Sequence, residues 1–220
     1  MPEIELELFF DVASPFGYMG YVNIHKLAER VGATVVLRPI VVGGVFDRVN
    51  SAAYPPHRRD PAIQPNRRSL YTQAKLPEWG RLAGVKIVYP PAESGHPANS
   101  VKAMRGCVYL ARADPPKLRP YIGAVAHALW GEGLDIGRDD RLESVCRQIG
   151  VDPLAFFEGI QDPTVKRELL DTMDEFIARG GFGVPTVFVN RDDRQIYWGN
   201  DNLPLLEAAL RTQFASPEGA

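Results

Sequence analysis

The order of apolar and polar positions divides the chain into strands and helices. Residues 3–10, EIELELFF, alternate acidic and apolar residues and then become fully apolar, as in a strand that leaves a solvated edge for a core. Residues 15–31 repeat apolar positions at helical spacing and stop at Gly32, a usual C-terminal cap. The run ATVVLRPIVV, residues 33–42, predicts a second strand. A strand, a helix and a strand in this order predict a βαβ unit with parallel strands.

The pattern changes twice in the rest of the chain. From Gly43 to about Pro97, proline and arginine are frequent, and we expect loops and short helices until a helix near 67–83. Residues 98–178 are almost wholly helical in pattern, and the last of these helices has Asp162 as its N-cap. The runs PTVFVN and RQIYWG then predict a β-hairpin, and LPLLEAALRTQF predicts a terminal helix.

Composition and charge are those of an ordinary globular protein. The chain has 220 residues, of which 45% are hydrophobic, and 25 Lys and Arg balance 27 Asp and Glu. This balance disfavours nucleic acid or an anionic membrane as the partner. The first residues, MPEIELELFF, lack the basic and apolar regions of a leader, and no apolar run is long enough to span a bilayer, so we expect a cytoplasmic protein.

The cysteines and histidines give little support to redox or metal chemistry. Cys107 and Cys146 are far apart and lie among apolar residues at helical spacing, so we expect both to be core thiols. The four histidines show no paired spacing such as HxxxH, so we predict no metal site.

The segment FFDVASPFGYMG, residues 9–20, ends a strand and begins a helix at Ser14 and Pro15. One interpretation is a plain helix start, because serine is a preferred N-cap and proline suits the first helical position. The other is an anion site, since a helix N-terminus presents unpaired N–H groups and partial positive charge that favour a thiolate. The Ser14 hydroxyl would then donate a hydrogen bond to the sulfur. The residues alone leave both interpretations open.

Two later segments allow a similar choice. GGFGVPT is a glycine-rich turn into a strand, and only about 5% of X-Pro bonds are cis. If the bond before Pro185 were cis, the N–H and C=O of Val184 could pair with an extended peptide ligand. In WGNDNLPLLE, Asp201 or Asn202 is an ordinary N-cap, or Asp201 supplies a carboxylate to the ammonium group of a ligand.

Together, these segments resemble the glutathione-dependent 2-hydroxychromene-2-carboxylate isomerases and the kappa-class glutathione transferases, in the DsbA-like branch of the thioredoxin fold. That family has a strand FFD, then S-P-[YF], then G-V-P-T before a strand, then W-G-x-D-R-L. QPNRRSLY and HPANSVKAMRG are similar to two further family segments, so the resemblance covers nearly the whole chain. It implies an α/β fold with a thioredoxin-like (DsbA-like) domain, residues 1–42 and 181–214, and a large all-α insertion, residues 43–180.

The resemblance also implies that the reactive thiol arrives with bound glutathione, because Ser14-Pro15-Phe16-Gly17 stands where the redox relatives carry CxxC. Ser14 is the implied catalytic residue and would hold the thiolate. Val184 would pair with the cysteinyl backbone, whereas Asn200 and Asp201 would hold the γ-glutamyl end. The implied cofactor-binding residues are Phe16, Asn66, Val184, Pro185 in a cis bond, Asn200 and Asp201.

Three positions depart from the family pattern. Arg67 stands in place of a lysine, Phe16 in place of a tyrosine and Asn202 in place of an arginine. Arg67 keeps the charge but changes its geometry, Phe16 lacks a hydroxyl, and Asn202 removes a cation near the glutamyl end. We expect these changes to alter which substrate is bound more than they alter the binding of glutathione.

The implied reaction is ring opening and cis/trans isomerisation of a 2-hydroxychromene-2-carboxylate to trans-o-hydroxybenzylidenepyruvate in aromatic hydrocarbon catabolism, by reversible addition of the glutathione thiolate. Arg58, Arg67 or Arg68 could bind the carboxylate of this small aromatic substrate, and the resemblance suggests a homodimer. A kappa-like transferase or peroxidase and a glutathione-binding module without turnover remain as alternatives. A disulfide oxidoreductase is the weakest alternative, because both sulfurs of the CxxC are replaced.

Overall fold

The computed structural model describes residues 3–49, 51, 67–89 and 97–213. The elements in these ranges are β1 (Ile4–Phe10), α1 (Pro15–Val31), β2 (Ala33–Pro39), α2 (Val42–Val49), α3 (Arg67–Ala83), α4 (Val101–Ala113), α5 (Pro115–Trp130), α6 (Asp139–Ile149), α7 (Pro153–Gly159), α8 (Pro163–Ala178), β3 (Thr186–Val189), β4 (Asp192–Trp198), a 3₁₀ turn (Asn200–Asn202) and α9 (Leu203–Gln213). Within them, no helix has the length and apolar content needed to cross a membrane.

The described strands form one mixed sheet in the order β2-β1-β3-β4. β1 pairs in parallel with β2, and β3 pairs antiparallel with both β1 and β4. The predicted parallel βαβ unit and the predicted hairpin are therefore confirmed. Helices α2 to α8 follow β2 and precede β3, so a helical insertion interrupts the α/β part of the chain.

The helix ends follow the local signals in the sequence. The Ser14 Oγ accepts a hydrogen bond from the Gly17 N–H at 3.1 Å, and Gly32 ends α1 in the left-handed conformation at φ 68°. Asp162 caps α8 by accepting a hydrogen bond from the Thr164 N–H at 2.7 Å. Because each of these contacts spans at most three residues, the sequence predicted them directly.

Both faces of β1 are covered, so the strand is buried along most of its length. Leu6, Leu8 and Phe10 belong to the core that contains α1, α4 and α5. Phe9 points to the other face, where its ring centroid lies 4.9 Å from that of Phe176 in α8. The interpretation of the N-terminal strand as leaving a solvated edge is wrong at Glu7, which is 1% exposed, because β1 is an inner strand.

The second strand is shorter than the sequence predicted. The apolar run continues to residue 42, but β2 ends at Pro39 and Val42 begins α2. The chain leaves the sheet there because the Val42 N–H donates to the carboxylate of Asp11 at 2.8 Å instead of continuing the ladder.

Candidate functional site

The three segments with candidate chemistry lie at one end of the sheet. β1 and β4 end there and β3 begins there, because β3 runs antiparallel to both neighbours. The Gly199 N–H donates to the Pro185 carbonyl at 2.9 Å. The Pro185 ring packs against α1 at Gly20, where an added Cβ would lie 2.5 Å from the ring Cγ. Helix α1 therefore carries Ser14 at its start and supports the Pro185 loop along its side.

Ser14 is half-buried at the N-terminus of α1, with an extended backbone at φ −100° and ψ 124°. Its Oγ accepts the hydrogen bond that caps the helix, so the hydroxyl proton remains available to an anion in front of the helix. The first turn of α1 contains no acidic residue that would offset the positive end of the helix dipole. The helix-cap and anion-site interpretations are therefore compatible in one geometry.

A buried carboxyl lies behind the Ser14 turn. Asp11 is 1% exposed, and its Oδ1 accepts a hydrogen bond from the Ala13 N–H at 2.9 Å. Its Oδ2 accepts from the Val42 N–H at 2.8 Å and from the Ser100 hydroxyl at 2.9 Å. Burial raises the pKa of Asp11 above its ordinary value, although these hydrogen bonds act in the opposite direction. No role was predicted for Asp11 from the sequence, although the family segment FFD ends with it. An aspartate between a strand and a turn was the available signal.

Val184 offers its main chain to a ligand. The peptide bond between Val184 and Pro185 is cis, the isomer that the resemblance implies. Within the described part of the chain, neither the N–H nor the C=O of Val184 has a hydrogen-bond partner. The neighbouring Gly183 carbonyl is held by the Thr186 hydroxyl at 2.7 Å. Val184 as a whole is 8% exposed and belongs to a buried cluster, so its unpaired main-chain groups, and not its side chain, are what it can offer a ligand.

The turn after β4 places a buried amide beside an exposed carboxylate. Asn200 is 7% exposed, and its Oδ1 accepts a hydrogen bond from Asn23 Nδ2 on α1 at 2.8 Å. Asp201 is exposed and has no hydrogen-bonded or ion-paired partner among the residues that the structure describes. Asn202 donates through Nδ2 to the Trp198 carbonyl at 2.6 Å, so it folds back on β4. A free carboxylate is thus available to an ammonium group at this end of the sheet.

The other predicted site residues have different outcomes. Phe16, in the first turn of α1, is half-buried and packs against the core. Arg67 and Arg68 are exposed at the start of α3. Asn66 and Arg58 lie outside the described residues. The predicted residues that the structure brings to one end of the sheet are Ser14, Phe16, Val184, Pro185, Asn200 and Asp201.

The two cysteines are core thiols, as predicted. Both are buried. Burial raises the pKa of Cys107, with the Asp11 charge as the second cause, and burial raises the pKa of Cys146 to about 12. Because the thiolate is the nucleophile, neither side chain supplies one at neutral pH. Neither cysteine is therefore a candidate nucleophile for this site.

The chain is similar over most of its length to proteins of one family. A family model, the DSBA-like thioredoxin domain, matches residues 5–211. The 2-hydroxychromene-2-carboxylate isomerase of Sphingobium xenophagum is 28% identical over 205 residues, which cover 93% of this chain and 97% of that protein. Glutathione S-transferase kappa 1 of Rattus norvegicus is 24% identical over 218 residues, which cover 96% of this chain and 93% of that protein. A solved structure of a 2-hydroxychromene-2-carboxylate isomerase matches with a TM-score of 0.74 at 26% identity, and 95% of each chain is covered.

Proposed function

The chain belongs to the DsbA-like thioredoxin family, and we propose that it is a glutathione-dependent isomerase of 2-hydroxychromene-2-carboxylate-type substrates. The observation that carries the proposal is the position of Ser14. Its hydroxyl lies at the N-terminus of α1, where the dithiol relatives carry a cysteine, and the open Val184 backbone lies at the same end of the sheet. Such a site stabilises a thiolate but does not contain one.

The residues at this end of the sheet fit glutathione. The unpartnered N–H and C=O of Val184 match the main chain of a cysteinyl residue, which presents one donor and one acceptor. The exposed carboxylate of Asp201 matches the ammonium group of a γ-glutamyl end, and Asn200 lies beside it. Asn66 is the proposed polar contact from the insertion, and Phe16 provides an apolar wall next to Ser14.

Bound glutathione would supply a thiolate that adds reversibly to an unsaturated carbon conjugated with the substrate carbonyl. The chain's part is to keep that sulfur ionised. Ser14 would donate a hydrogen bond to it, and the N-terminus of α1 would add the positive end of its dipole. An exposed arginine at the start of α3, Arg67 or Arg68, is placed to attract a carboxylate. Isomerisation leaves the glutathione unchanged at the end of each turnover.

The names of the similar proteins favour isomerase activity, but they also support glutathione transferase activity as an alternative. The Sphingobium protein is named an isomerase, whereas the rat protein is named a glutathione transferase. An isomerase converts substrate without consuming glutathione, but a transferase forms one thioether for each glutathione lost. Chromatography of substrate, product and glutathione after incubation with a hydroxychromene carboxylate distinguishes the two, and a constant glutathione concentration is the result we expect.

The first test follows the thiolate absorbance of glutathione in the ultraviolet as a function of pH. We expect wild-type protein to lower the pKa of the bound thiol. Ser14→Ala should raise that pKa again by about 1 to 2, because a hydrogen bond to a charged group contributes about 1.5 to 3 kcal/mol. Asp162→Ala is the matched control, since it removes the cap of α8 instead of α1.

Three results of this titration have different meanings. A shift in wild type that Ser14→Ala loses and Asp162→Ala keeps supports the proposal. A shift that Ser14→Ala also keeps assigns Ser14 to helix capping alone. If glutathione binds with its thiol pKa unchanged and no substrate is converted, the protein is a binding module instead of an enzyme.

The homodimer that the resemblance implies and the cytoplasmic location expected from the sequence are part of the same proposal. Light scattering of the purified protein should give about twice the mass of one chain. A mass equal to that of one chain would contradict the dimer. It would not bear on the thiolate site, which the titration tests.

A further inference from the structure

The turn between β1 and α1 is fixed by Asp11. The Asp11 carboxylate holds the Ala13 N–H at 2.9 Å, and the Asp11 carbonyl accepts from the Ser14 N–H at 3.1 Å. The first helical turn lies directly on the same carbonyl, because a Cβ added to Gly17 would be 2.5 Å from the Asp11 oxygen. The Asp11 backbone is therefore in direct contact with the first turn of α1.

Asp11 is in turn held by segments that are distant in the sequence. Its Oδ2 accepts from the Val42 N–H at 2.8 Å and from the hydroxyl of Ser100 at 2.9 Å, across 31 and 89 residues. Ser100 is 2% exposed and stands at the start of α4. A second bond joins the same turn to the helical block, because Trp130 Nε1 donates to the Val12 carbonyl at 2.8 Å.

We infer that Asp11 is the positioning residue for Ser14, and that Ser100 and Trp130 complete a clamp by which the helical insertion sets the direction of the Ser14 hydroxyl. This inference rests on the proposed function. The clamp, defined as Asp11, Ser100 and Trp130, acts on the thiolate and not on the rest of glutathione. The hydrogen bonds of the clamp join Ala13, Val42 and Val12, whereas Val184 lies in another segment of the chain.

A carboxyl is the side chain that this position requires. Its two oxygens accept three hydrogen bonds, from the N–H groups of Ala13 and Val42 and from the Ser100 hydroxyl. The two N–H groups can only donate, so each needs an acceptor here. An asparagine would place its NH₂ group against the N–H of either Ala13 or Val42. The hydrogen bond from that N–H would be lost. A buried donor would then be unpaired, which costs more free energy than the net contribution of the bond itself.

The clamp can be loosened without removing Asp11. Ser100→Ala deletes one hydroxyl, whereas Ser100→Thr keeps it as the conservative variant. Tyr121→Phe is the matched control, because it also deletes one buried hydroxyl of the helical block, which donates to the Ala103 carbonyl at 3.2 Å. A merely structural role for Ser100 would lower stability in the same way as Tyr121→Phe and leave the chemistry unchanged.

The first measurement combines the pKa of bound glutathione with its Kd and with kcat. We expect Ser100→Ala to raise the thiol pKa and to lower kcat about threefold to tenfold, as for one lost hydrogen bond, while Kd changes less than about twofold. Ser100→Thr should restore most of the loss, and Tyr121→Phe should match wild type. If Ser100→Ala lowers the thiol pKa as much as wild type does, the inference is overturned and the proposed function stands.

The second measurement needs no glutathione. Hydrogen exchange of the free protein should be faster across residues 11–17 in Ser100→Ala than in wild type or Tyr121→Phe. Equal exchange in all three proteins would overturn the clamp on its own. If wild type fails to lower the thiol pKa, the proposed function fails, and so does the role of the clamp in that chemistry, even where exchange shows that the turn is held.

Discussion

His25, on α1, has a half-buried ring and a cationic neighbour on α5, Arg119. The ring packs edge-on against Tyr21, with centroids 5.0 Å apart, and its Nε2 atom is buried without a hydrogen-bond partner in the described ranges. Burial, with the positive charge of Arg119 as the second cause, lowers the pKa of His25 from 6.5 to about 4. A cavity of about 500 Å³ lies beside it, and none of the predicted site residues lines that cavity.

Acid should therefore destabilise the protein through His25. The unfolded chain takes up this proton near pH 6.5 and the folded protein near pH 4, so the contribution is complete above pH 6.5 and is lost as the pH falls toward 4. Between pH 7.5 and pH 5, we expect wild type to lose about 1 kcal/mol more stability than His25→Gln, a value reduced for partial exposure. Urea unfolding of both proteins measures the difference, and equal losses would contradict the prediction.

The range of its contacts decides whether a residue's role can be read from the sequence. Ser14 was predicted as a helix cap because its partner, Gly17, lies three residues away. Asp11 was missed because two of its three partners lie 31 and 89 residues away. Single-residue patterns contain no information about which distant donors will surround a carboxyl.

Packing between α1 and the Pro185 loop leaves no space for a side chain at Gly20. An added Cβ would lie 2.5 Å and 2.7 Å from two atoms of the Pro185 ring. The α5 helix offers the opposite case, since a Cβ at Gly123 would meet nothing within 4 Å. The two glycines form a matched pair for testing how closely the loop must approach the helix.

Gly20→Ala should separate the loop from the helix and weaken the binding of glutathione. We expect a loss of about 1 to 3 kcal/mol in stability from overpacking, whereas Gly123→Ala should gain about 0.5 to 1 kcal/mol from better helix propensity. Thermal unfolding and a glutathione titration of both variants check this. A Gly20→Ala protein as stable as Gly123→Ala would show that the loop can move away freely.

Elements with strong local patterns were predicted correctly. The predicted position of an element's end is wrong where tertiary contacts determine that end. The helix expected near 67–83 has those bounds, Arg67–Ala83. The strand expected at 33–42 ends at Pro39 instead, because Val42 is drawn into the first turn of α2 by its bond to Asp11. The apolar residues beyond the strand fit both conformations, so periodicity could not choose between them.

At the scale of the whole molecule, the sheet is covered on both faces, and each face was predictable to a different extent. The face against α1 uses the simple alternation Leu6, Leu8 and Phe10. The face against α8 buries a charge, Glu7, that the alternation assigned to solvent. Arg179, just after α8, lies with Nη2 2.9 Å from the Glu7 carboxylate and stacks over the Phe188 ring at 4.1 Å. The sequence contained no sign of this pairing, because the partners are far apart.

Removing Arg179 while Glu7 remains should therefore lower the stability of the protein. Arg179→Met leaves the Glu7 carboxylate buried, with Arg38 Nε at 4.0 Å, and we expect a loss of about 3 kcal/mol in urea unfolding. Adding Glu7→Gln should recover more than half of that loss, because the uncompensated charge is gone. Arg147→Met, in an exposed pair with Glu143, is the control and should change stability little. If Arg179→Met costs no more than this control, the buried pair does not hold α8 against the sheet.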